Sequence, residues 1–207
     1  MDRQARRCAC RRAALIGERL SKIPPRYRDV NLDTLLARPE VHPKQVATAN
    51  LLRENPNDSY VFCGRPGTGK THFMWALYQR AAHDMERRVI ACSMLQLIND
   101  YREAFKSLPP DVLPYEIKTV KPNDLMQSHT PYSLFFDDID KPKITEYVAE
   151  QVHALLDAAY LNKHQIVVTT NLSEERMVEH FSRADERYGE AIVRRIIHED
   201  NNLIELF

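Results

Sequence analysis

Eight consecutive residues have the types and spacing of a phosphate-binding loop: Gly64-Arg65-Pro66-Gly67-Thr68-Gly69-Lys70-Thr71. They fit the pattern G-x-x-x-x-G-K-[ST]. Three of the chain's five glycines lie here, and glycine allows backbone N–H groups to approach an anion closely. Lys70 is expected to reach the β- and γ-phosphates, and Thr71 to place its hydroxyl on Mg²⁺. All eight residues are therefore candidate nucleotide-binding residues, with ATP and Mg²⁺ as the expected cofactors.

The segments on either side of this loop have the periodicities that such a loop requires. Residues 59–63 form a short apolar run typical of a strand. Residues 71–84 follow with Phe73, Leu77 and Ala81 at helical spacing. A strand, a glycine-rich turn and a helix in this order favour a phosphate site over a chance glycine turn.

Two acids directly follow a second apolar run. Residues 133–136 predict a buried strand, and Asp137 and Asp138 come immediately after it. Charges at a sheet end are costly unless they are paired or bind a cation. We expect Asp137 to hold Mg²⁺, directly or through water, and Asp138 to orient the attacking water. The alternative is a pair of solvated acids before the next helix.

Asn171 follows a β-branched strand predicted over residues 165–170. In open α/β sheets, ligands bind at the carboxyl ends of the strands. We therefore expect Asn171 to bond the γ-phosphate or the lytic water, and to lie at the same sheet edge as the loop and the two acids. The alternative is that Asn171 only opens a turn.

The composition fits one globular domain, since the 207 residues are 43% hydrophobic and 28% charged. Lys+Arg and Asp+Glu are 29 each, so the overall charge does not indicate a partner. No apolar run reaches the length of a membrane span, and no signal-peptide core is evident. We expect a cytoplasmic protein without a membrane partner, in which Cys8, Cys10, Cys63 and Cys92 are reduced thiols. Cys8 and Cys10 form C-x-C, which is at most half of a zinc site.

The positive charge is concentrated at the N-terminus. Residues 1–28 contain nine Arg and Lys residues against two acids, and residues 5–21 predict a basic helix that ends before Pro24. Three interpretations stay open at this point. The helix is a partner-docking or nucleic-acid-binding arm, a solvated face, or a mitochondrial-type leader. Residues 26–36 predict an ordered link from this helix into the main domain.

The remaining pattern predicts an α/β fold with a mostly parallel, five-stranded sheet, because strands alternate with helices along the chain. The predicted strands cover residues 59–63, 88–93, 133–136, 165–170 and 202–207. The predicted helices cover residues 42–55, 71–84, 94–107, 145–161, 173–181 and 189–197, and a helical piece over 123–127 follows a proline-rich excursion.

The ordered set of motifs resembles the AAA+ ATPases of the DnaC/DnaI helicase-loader and IstB type. GRPGTGKT, LFFDDID, VVTTN, GEAIVRRI and the segment IPPRYRDVNLDTL carry this resemblance, which covers roughly residues 25–207. The family implies a P-loop NTPase fold, a three-layer αβα sandwich, and assembly into a ring or spiral. Lys70 and Thr71 match its Walker A residues, and Asp137 and Asp138 its Walker B acids.

Two further matches follow from the resemblance. Asn171 matches the sensor-1 position, and Arg195 matches the arginine that a subunit inserts into its neighbour's site; Arg194 fits that register less well. Such an arginine stabilises charge on the transferring phosphoryl group. The alternative for both arginines is an exposed pair on a basic helix.

The chain also departs from the family pattern. Many AAA+ proteins carry Glu where this chain has Asp138, which implies slow turnover. Because the chain ends straight after its last strand, we expect the helical lid of larger AAA+ proteins to be absent. Residues 1–36 form a basic arm and linker, shorter than the docking domain of typical loaders, and residues 37–207 form the ATPase core.

Three functions remain open from the sequence. The first is an ATP-driven loader that places a replicative helicase on single-stranded DNA. The second is an IstB-like transposition ATPase that binds duplex DNA beside a transposase. The third is a nucleotide-switched adaptor with negligible turnover. For the first, the resemblance places single-stranded DNA contacts near helix 94–107, where Arg102 and Lys106 would meet phosphates and Tyr101 would stack on a base. The alternative is an ordinary amphipathic helix with a solvated face.

Overall fold

A computed structural model of the chain describes residues 3–37, 41–106, 120–197 and 201–206, with the side chains of 3–8, 104–106 and 201–202 outside that description. The strands are β1 (Ser59–Gly64), β2 (Arg88–Ser93), β3 (Tyr132–Asp137), β4 (Gln165–Thr170) and β5 (Asn201–Leu206). The helices are α1 (Arg3–Ser21), α2 (Leu32–Leu36), α3 (Pro43–Glu54), α4 (Lys70–Ala82), α5 (Met94–Lys106), α6 (Pro122–Gln127), α7 (Glu146–Leu161), α8 (Glu174–Phe181) and α9 (Glu186–Ile196). A single turn of 3₁₀ helix spans Pro25–Tyr27.

The five strands form one sheet in the order β2-β3-β4-β1-β5, and every pairing in it is parallel. The predicted α/β fold with a mostly parallel five-stranded sheet is therefore confirmed. The connection from β1 to β2 runs in one direction across the sheet, and all later connections run in the other. Right-handed crossovers place oppositely directed connections on opposite faces, which makes three layers.

The buried residues divide in the same way. One cluster joins α4 to its face of the sheet and includes Phe73, Leu77 and Phe135. The other joins α5 to α9 to the opposite face and includes Leu134 and Phe136. Successive residues of β3 therefore point into different layers, as the pleat of a strand requires. Because α4 follows β1 on one face and α8 follows β4 on the other, the neighbouring strands β1 and β4 form the switch point of the sheet.

Local capping explains where the predicted element boundaries were wrong. Helix α9 begins at Glu186, three residues before the predicted start, because Asp185 caps it by accepting a 2.9 Å hydrogen bond from the Arg187 N–H. The link over residues 26–36 contains the short helix α2, which Asn31 and Thr34 cap reciprocally. Most of the proline-rich excursion, residues 107–119, lies outside the described residues.

One arginine fixes the N-terminal helix to the core. The guanidinium of Arg19 donates to the carbonyl oxygens of Ala82, Asp84 and Arg87 at 3.2, 2.5 and 2.6 Å, and the Tyr78 hydroxyl donates to the Arg19 carbonyl at 2.9 Å. Three residues that follow α1 then pack with α4 in the same core cluster: Ile23, Val30 and Leu35. The residues from 9 to 15, in contrast, are exposed. The last turn of α1 is thus part of the core layer, while residues 9–15 face solvent.

The fold also bears on the expectations about membrane-spanning segments and about the cysteines. Within the described ranges, no helix has both the length and the apolar character needed to span a bilayer. Cys10, Cys63 and Cys92 are free thiols, as expected, and the side chain of Cys8 lies outside the described residues.

Gly64 gives a test of how tightly β5 closes over the phosphate-binding loop. A Cβ at Gly64 would lie 1.8 Å from the Leu206 carbonyl oxygen, and φ is +139°. We expect Gly64→Ala to lower the free energy of unfolding by about 3 kcal/mol, because the strand must move and the backbone is strained. Urea unfolding would measure this loss.

The control for this prediction is Gly17→Ala in α1, where an added Cβ meets no described atom within 4 Å. That change should raise the free energy of unfolding by about 0.5–1 kcal/mol, because alanine favours a helix. Wild-type stability of Gly64→Ala would contradict the close approach of β5.

Candidate nucleotide-binding site

The phosphate-binding loop leaves the end of β1 and enters α4 through Gly69. Gly69 has a left-handed φ of +97° at the N-cap, and Lys70 is the first helical residue. Arg65, Pro66 and Gly67 are exposed, whereas Thr68 is buried. The first N–H groups of a helix have no intrahelical acceptor and form a ready anion site. The loop therefore presents an exposed rim on an anchored base, beside the N-terminus of a 13-residue helix.

The base of the loop is held by neighbouring side chains. The Thr68 hydroxyl donates to the Arg65 carbonyl at 2.9 Å, and Gln45 Nε2 from α3 donates to the Thr68 carbonyl at 3.1 Å. Sequence reasoning missed Gln45, because it lies far from the loop in sequence and belongs to no motif. Its signal is only that α3 ends directly before β1 and thus packs beside it.

Lys70 links the loop to the neighbouring strand. Its Nζ donates to the carbonyl oxygens of Gly64 at 2.8 Å and Arg65 at 2.9 Å, and to Asn171 Oδ1 at 3.0 Å. Burial lowers the pKa of Lys70, and the carboxylates of Asp138, Asp140 and Asp137 oppose that shift. The ends of β1 and β4 are therefore joined through one ammonium group.

The first acid of the predicted pair contacts the loop helix. Asp137 Oδ1 accepts hydrogen bonds from the Thr71 hydroxyl at 3.1 Å and from the Thr169 hydroxyl at 2.5 Å. The Thr169 hydroxyl also accepts from the Asp138 N–H at 2.9 Å. Thr169 is fully buried at the end of β4, so this one hydroxyl holds both acids. Sequence reasoning missed Thr169, although a polar residue in an apolar strand beside β3 is a usable signal.

The second acid sits in an uncommon backbone conformation. Asp138 has φ +52°, in the left-handed region that non-glycine residues seldom adopt. Burial raises the pKa of Asp138, and the neighbouring Asp137 raises it further. Backbone strain and shifted pKa values both occur most often at functional sites. Asp138 combines the two, which supports a functional role for its carboxylate.

Asn171 is oriented by an acid that the sequence reasoning did not select. The Asn171 N–H donates to Asp140 Oδ1 at 3.2 Å, and Asn171 Nδ2 donates to Asp140 Oδ2 at 3.4 Å. These bonds turn the amide oxygen of Asn171 towards Lys70. Asp140 is the last acid of the run Asp137-Asp138-Ile139-Asp140, and the turn after β3 brings it back to β4.

The donor set in this site suits a magnesium–nucleotide complex. Thr71 and Asp137 present two oxygen ligands beside the loop, and Mg²⁺ commonly takes one or two protein ligands together with phosphates and waters. The described residues contain no group of three His, Cys, Asp or Glu side chains able to hold a metal ion.

One other predicted residue, Arg195, lies away from this cluster. Arg195 Nε donates to Asp157 Oδ1 at 2.6 Å, and the Arg195 guanidinium carbon lies 5.0 Å from the centre of the Tyr160 ring. These contacts join the last turns of α9 and α7, which directly precede β5 and β4. The pair thus lies at the amino-terminal edge of the sheet, opposite the phosphate-binding loop.

The prediction that Tyr101 stacks on a DNA base is wrong. Tyr101 is 3% exposed, and its hydroxyl donates to the Val120 carbonyl at 2.5 Å. Arg102 is half-buried, and the side chain of Lys106 lies outside the described residues. The apolar stripe of α5 places Tyr101 in the core layer, which its helical spacing with Leu97 indicates.

Comparison with known proteins establishes the family. Residues 2–205 match the family model described as IstB-like ATP binding protein, and the chain belongs to that family. It is 29% identical over 152 residues to the phage-like element PBSX protein XkdC of Bacillus subtilis (strain 168). That alignment covers 71% of this chain and 51% of XkdC, so the chain spans about half the length of this curated relative.

Solved structures establish the same fold. A crystal structure of the DnaC helicase loader matches with a TM-score of 0.65 and 21% identity, covering 89% of this chain and 100% of that chain. A crystal structure of DnaI matches with a TM-score of 0.63 and 13% identity, covering 91% and 96%. AMPPCP-bound DnaA from Aquifex aeolicus matches with a TM-score of 0.60 and 19% identity, covering 89% and 51%. The predicted AAA+ type of fold and the family resemblance are confirmed.

The raised pKa of Asp138 predicts a change in stability with pH. Folding disfavours the charged carboxylate, so the charge costs stability above the raised pKa, and the cost disappears as pH falls through that pKa towards 3.8. We expect Asp138→Asn, without nucleotide or metal, to raise Tm by roughly 1–3 °C at neutral pH. The difference should shrink in thermal unfolding as the pH falls from neutral towards 3.8.

Glu150→Gln is the matched control, because Glu150 is exposed on α7. Its Tm should follow that of the wild type across the same pH range. A constant Tm difference for Asp138→Asn at every pH would contradict the raised pKa.

Proposed function

We propose that this protein is a slow, assembly-dependent ATPase that loads a replicative helicase onto single-stranded DNA. The observation that carries the ATPase part is the meeting of Lys70, Thr71, Asp137 and Asn171 at the switch point of the sheet. These residues come from three separate motifs of the chain. Membership of an ATP-binding family gives independent support for the nucleotide.

The contacts suggest a role for each residue. Lys70 and the N–H groups at the start of α4 bind the β- and γ-phosphates, and Thr71 and Asp137 hold the metal. Mg²⁺, when bound, neutralises charge on those phosphates. Asp138 orients the attacking water, and Asn171 bonds the γ-phosphate or that water. Thr169 helps to position both acids, since its hydroxyl donates to the Asp137 carboxylate and accepts from the Asp138 N–H.

Assembly is proposed because of where Arg195, the arginine that the family resemblance assigns to a neighbour's site, lies in the fold. Arg195 lies at the sheet edge opposite its own Lys70. This position supports a role for Arg195 at the site of a neighbouring subunit in a ring or spiral, rather than at its own. An arginine supplied in this way is worth about 10³-fold or more in rate.

The helicase is proposed as the partner because of the exposed part of α1. Arg11 and Arg12 are exposed, and no acid occurs in residues 3–17. Arg19 anchors the end of this helix to the core, so a partner bound to the exposed turns would be held firmly against the ATPase layer. A basic surface of this kind favours an acidic partner surface or a phosphate backbone.

Lys70→Ala tests the ATPase. Removing a charge-assisted hydrogen bond to phosphate costs about 1.5–3 kcal/mol, so we expect ATP affinity to fall about 10- to 100-fold. Phosphate release should fall to the background rate. Lys163→Ala, an exposed lysine at the opposite sheet edge, is the matched control and should keep both properties.

The same measurements separate the adaptor hypothesis. If the wild-type protein binds ATP but releases no more phosphate than Lys70→Ala, hydrolysis is not part of its function. That result would favour a nucleotide-switched adaptor over a loader driven by turnover.

The helicase hypothesis is tested with the exposed turns of α1. Arg11→Gln combined with Arg12→Gln should weaken binding to a purified hexameric replicative helicase by about tenfold, because two charges are lost from the docking surface. Surface plasmon resonance in the presence of ATP would measure it. Arg80→Gln combined with Arg183→Gln, two exposed arginines elsewhere, is the control for net charge.

Unchanged helicase binding by the α1 variant would contradict this part of the proposal. ATP-dependent binding to duplex DNA in preference to single-stranded DNA, without helicase binding, would instead favour the transposition ATPase. The family match to IstB-like proteins keeps that second function in consideration.

A further inference from the structure

The contacts of Arg195 differ from those of an ordinary surface arginine. Its side chain is 31% exposed and that of Asp157 is 30% exposed, and their hydrogen bond is 2.6 Å long. The Tyr160 ring lies under the guanidinium, with the guanidinium carbon 5.0 Å from its centre. Asp157 and Tyr160 are on the last turn of α7, so one helix supplies both contacts.

The neighbouring Arg194 shows the contrast. Arg194 bonds Glu190 on its own helix through Nη2 at 3.2 Å, and the two side chains are 75% and 70% exposed. An exposed pair of this kind contributes little to stability and leaves both side chains free to move. Arg195 is instead held by a second helix, through a charged bond and a ring contact together.

We propose that Asp157 and Tyr160 form an arginine clamp, which positions Arg195 for the γ-phosphate of a nucleotide bound to a neighbouring subunit. This inference rests on the proposed function, since it assumes that Arg195 acts in trans. Asp157 and Tyr160 are positioning residues, because they act through Arg195 and touch no nucleotide of their own chain.

The geometry of the clamp suits that role. Among the described residues, the side-chain hydrogen bonds of Arg195 use Nε alone. The two terminal nitrogens therefore remain for an incoming anion, and they are the pair that binds phosphate oxygens in a bidentate manner. Holding Nε and stacking the guanidinium plane fixes the direction of those nitrogens before the neighbour arrives, which lowers the entropy lost on assembly.

The clamp also connects Arg195 to the chain's own site. Helix α7 has 16 residues, a length of about 24 Å, and begins eight residues after Asp138. Its other end carries Asp157 and Tyr160. The two residues that hold the arginine offered to one neighbour thus lie on the helix that follows the acids serving the other interface.

A subunit-mixing experiment tests the clamp in the full-length chain. Acceptor subunits carry Arg195→Ala and keep an intact nucleotide site. Donor subunits carry Lys70→Ala and supply Arg195. Phosphate release is measured for each variant alone and for equal mixtures with ATP and Mg²⁺. Asp157→Asn is then added to the donor or to the acceptor, and Glu190→Gln in the donor is the matched control.

We expect the effect of Asp157→Asn to depend on which subunit carries it. The unmodified mixture should recover phosphate release that neither variant shows alone. Asp157→Asn in the donor should lower that recovery by about ten- to a hundredfold, because a misplaced catalytic group loses rate steeply. In the acceptor it should have no effect, since the acceptor lacks Arg195. Tyr160→Phe in the donor keeps the ring and should behave as the unmodified donor, whereas Tyr160→Leu should lower the recovery.

Two outcomes overturn the inference, and they are distinguishable. A mixture that recovers no phosphate release contradicts the trans role of Arg195 and therefore the proposed function itself. Recovery that is insensitive to Asp157→Asn, or equally sensitive in donor and acceptor, contradicts the clamp alone. In the latter case the ion pair between Arg195 and Asp157 has only a structural role. Asp157→Asn would then lower the Tm of the donor and of the acceptor by the same amount.

Discussion

One buried ammonium group holds together the part of the fold on which the candidate site depends. Lys70 Nζ reaches two carbonyls of its own loop and the amide oxygen of Asn171. It lies among Asp137, Asp138 and Asp140, whose charges favour its protonated form while burial opposes it. The strands β1 and β4 send their helices to opposite faces, so a crevice opens between them. Lys70 crosses that crevice.

The excess of negative charge at this point has a chemical consequence. Asp137, Asp138 and Asp140 lie around Lys70, Lys141 also favours the charged form of Asp138, and burial raises the pKa of Asp138. Charge of this density at a sheet end is costly unless a cation compensates it. A magnesium–nucleotide complex supplies a cation for the acids and an anion for Lys70 and the helix N-terminus. The same arrangement therefore explains why the protein binds the two ligands together in our proposal.

The sequence predicted those parts of this arrangement that local rules determine. Gly69 to Thr71 form the start of α4 because the loop motif, the turn and the helix are contiguous. The strand order could not be obtained in this way, because Thr169 meets Asp137 only through the pairing of β3 with β4. Asp140 was passed over for a related reason, since the turn that returns it to Asn171 depends on Asp138 adopting a positive φ.

The apolar pattern was informative about burial and misleading about function on α5. Tyr101 was assigned a DNA contact by resemblance, but its helical spacing places it in the core, where its hydroxyl meets Val120. Arg195 shows the opposite case. Nothing in the residues around it indicates Asp157, which lies 38 positions earlier, and only the packing of α9 on α7 brings the two together.

The candidate nucleotide site and Arg195 lie at opposite edges of the sheet, which links nucleotide binding to assembly in our proposal. The phosphate-binding loop, the acids and Asn171 occupy the carboxyl edge of the sheet, whereas Arg195 occupies the amino edge. No rotation of a side chain can bring Arg195 to its own loop, because the length of the strands lies between them. If Arg195 contributes to hydrolysis, a second subunit must therefore be present, and a lone subunit must be slow. In that case a nucleotide held at the interface stabilises the assembly, and its hydrolysis weakens it. Under the proposed function, the ATP cycle would then control how long a partner docked on α1 is retained.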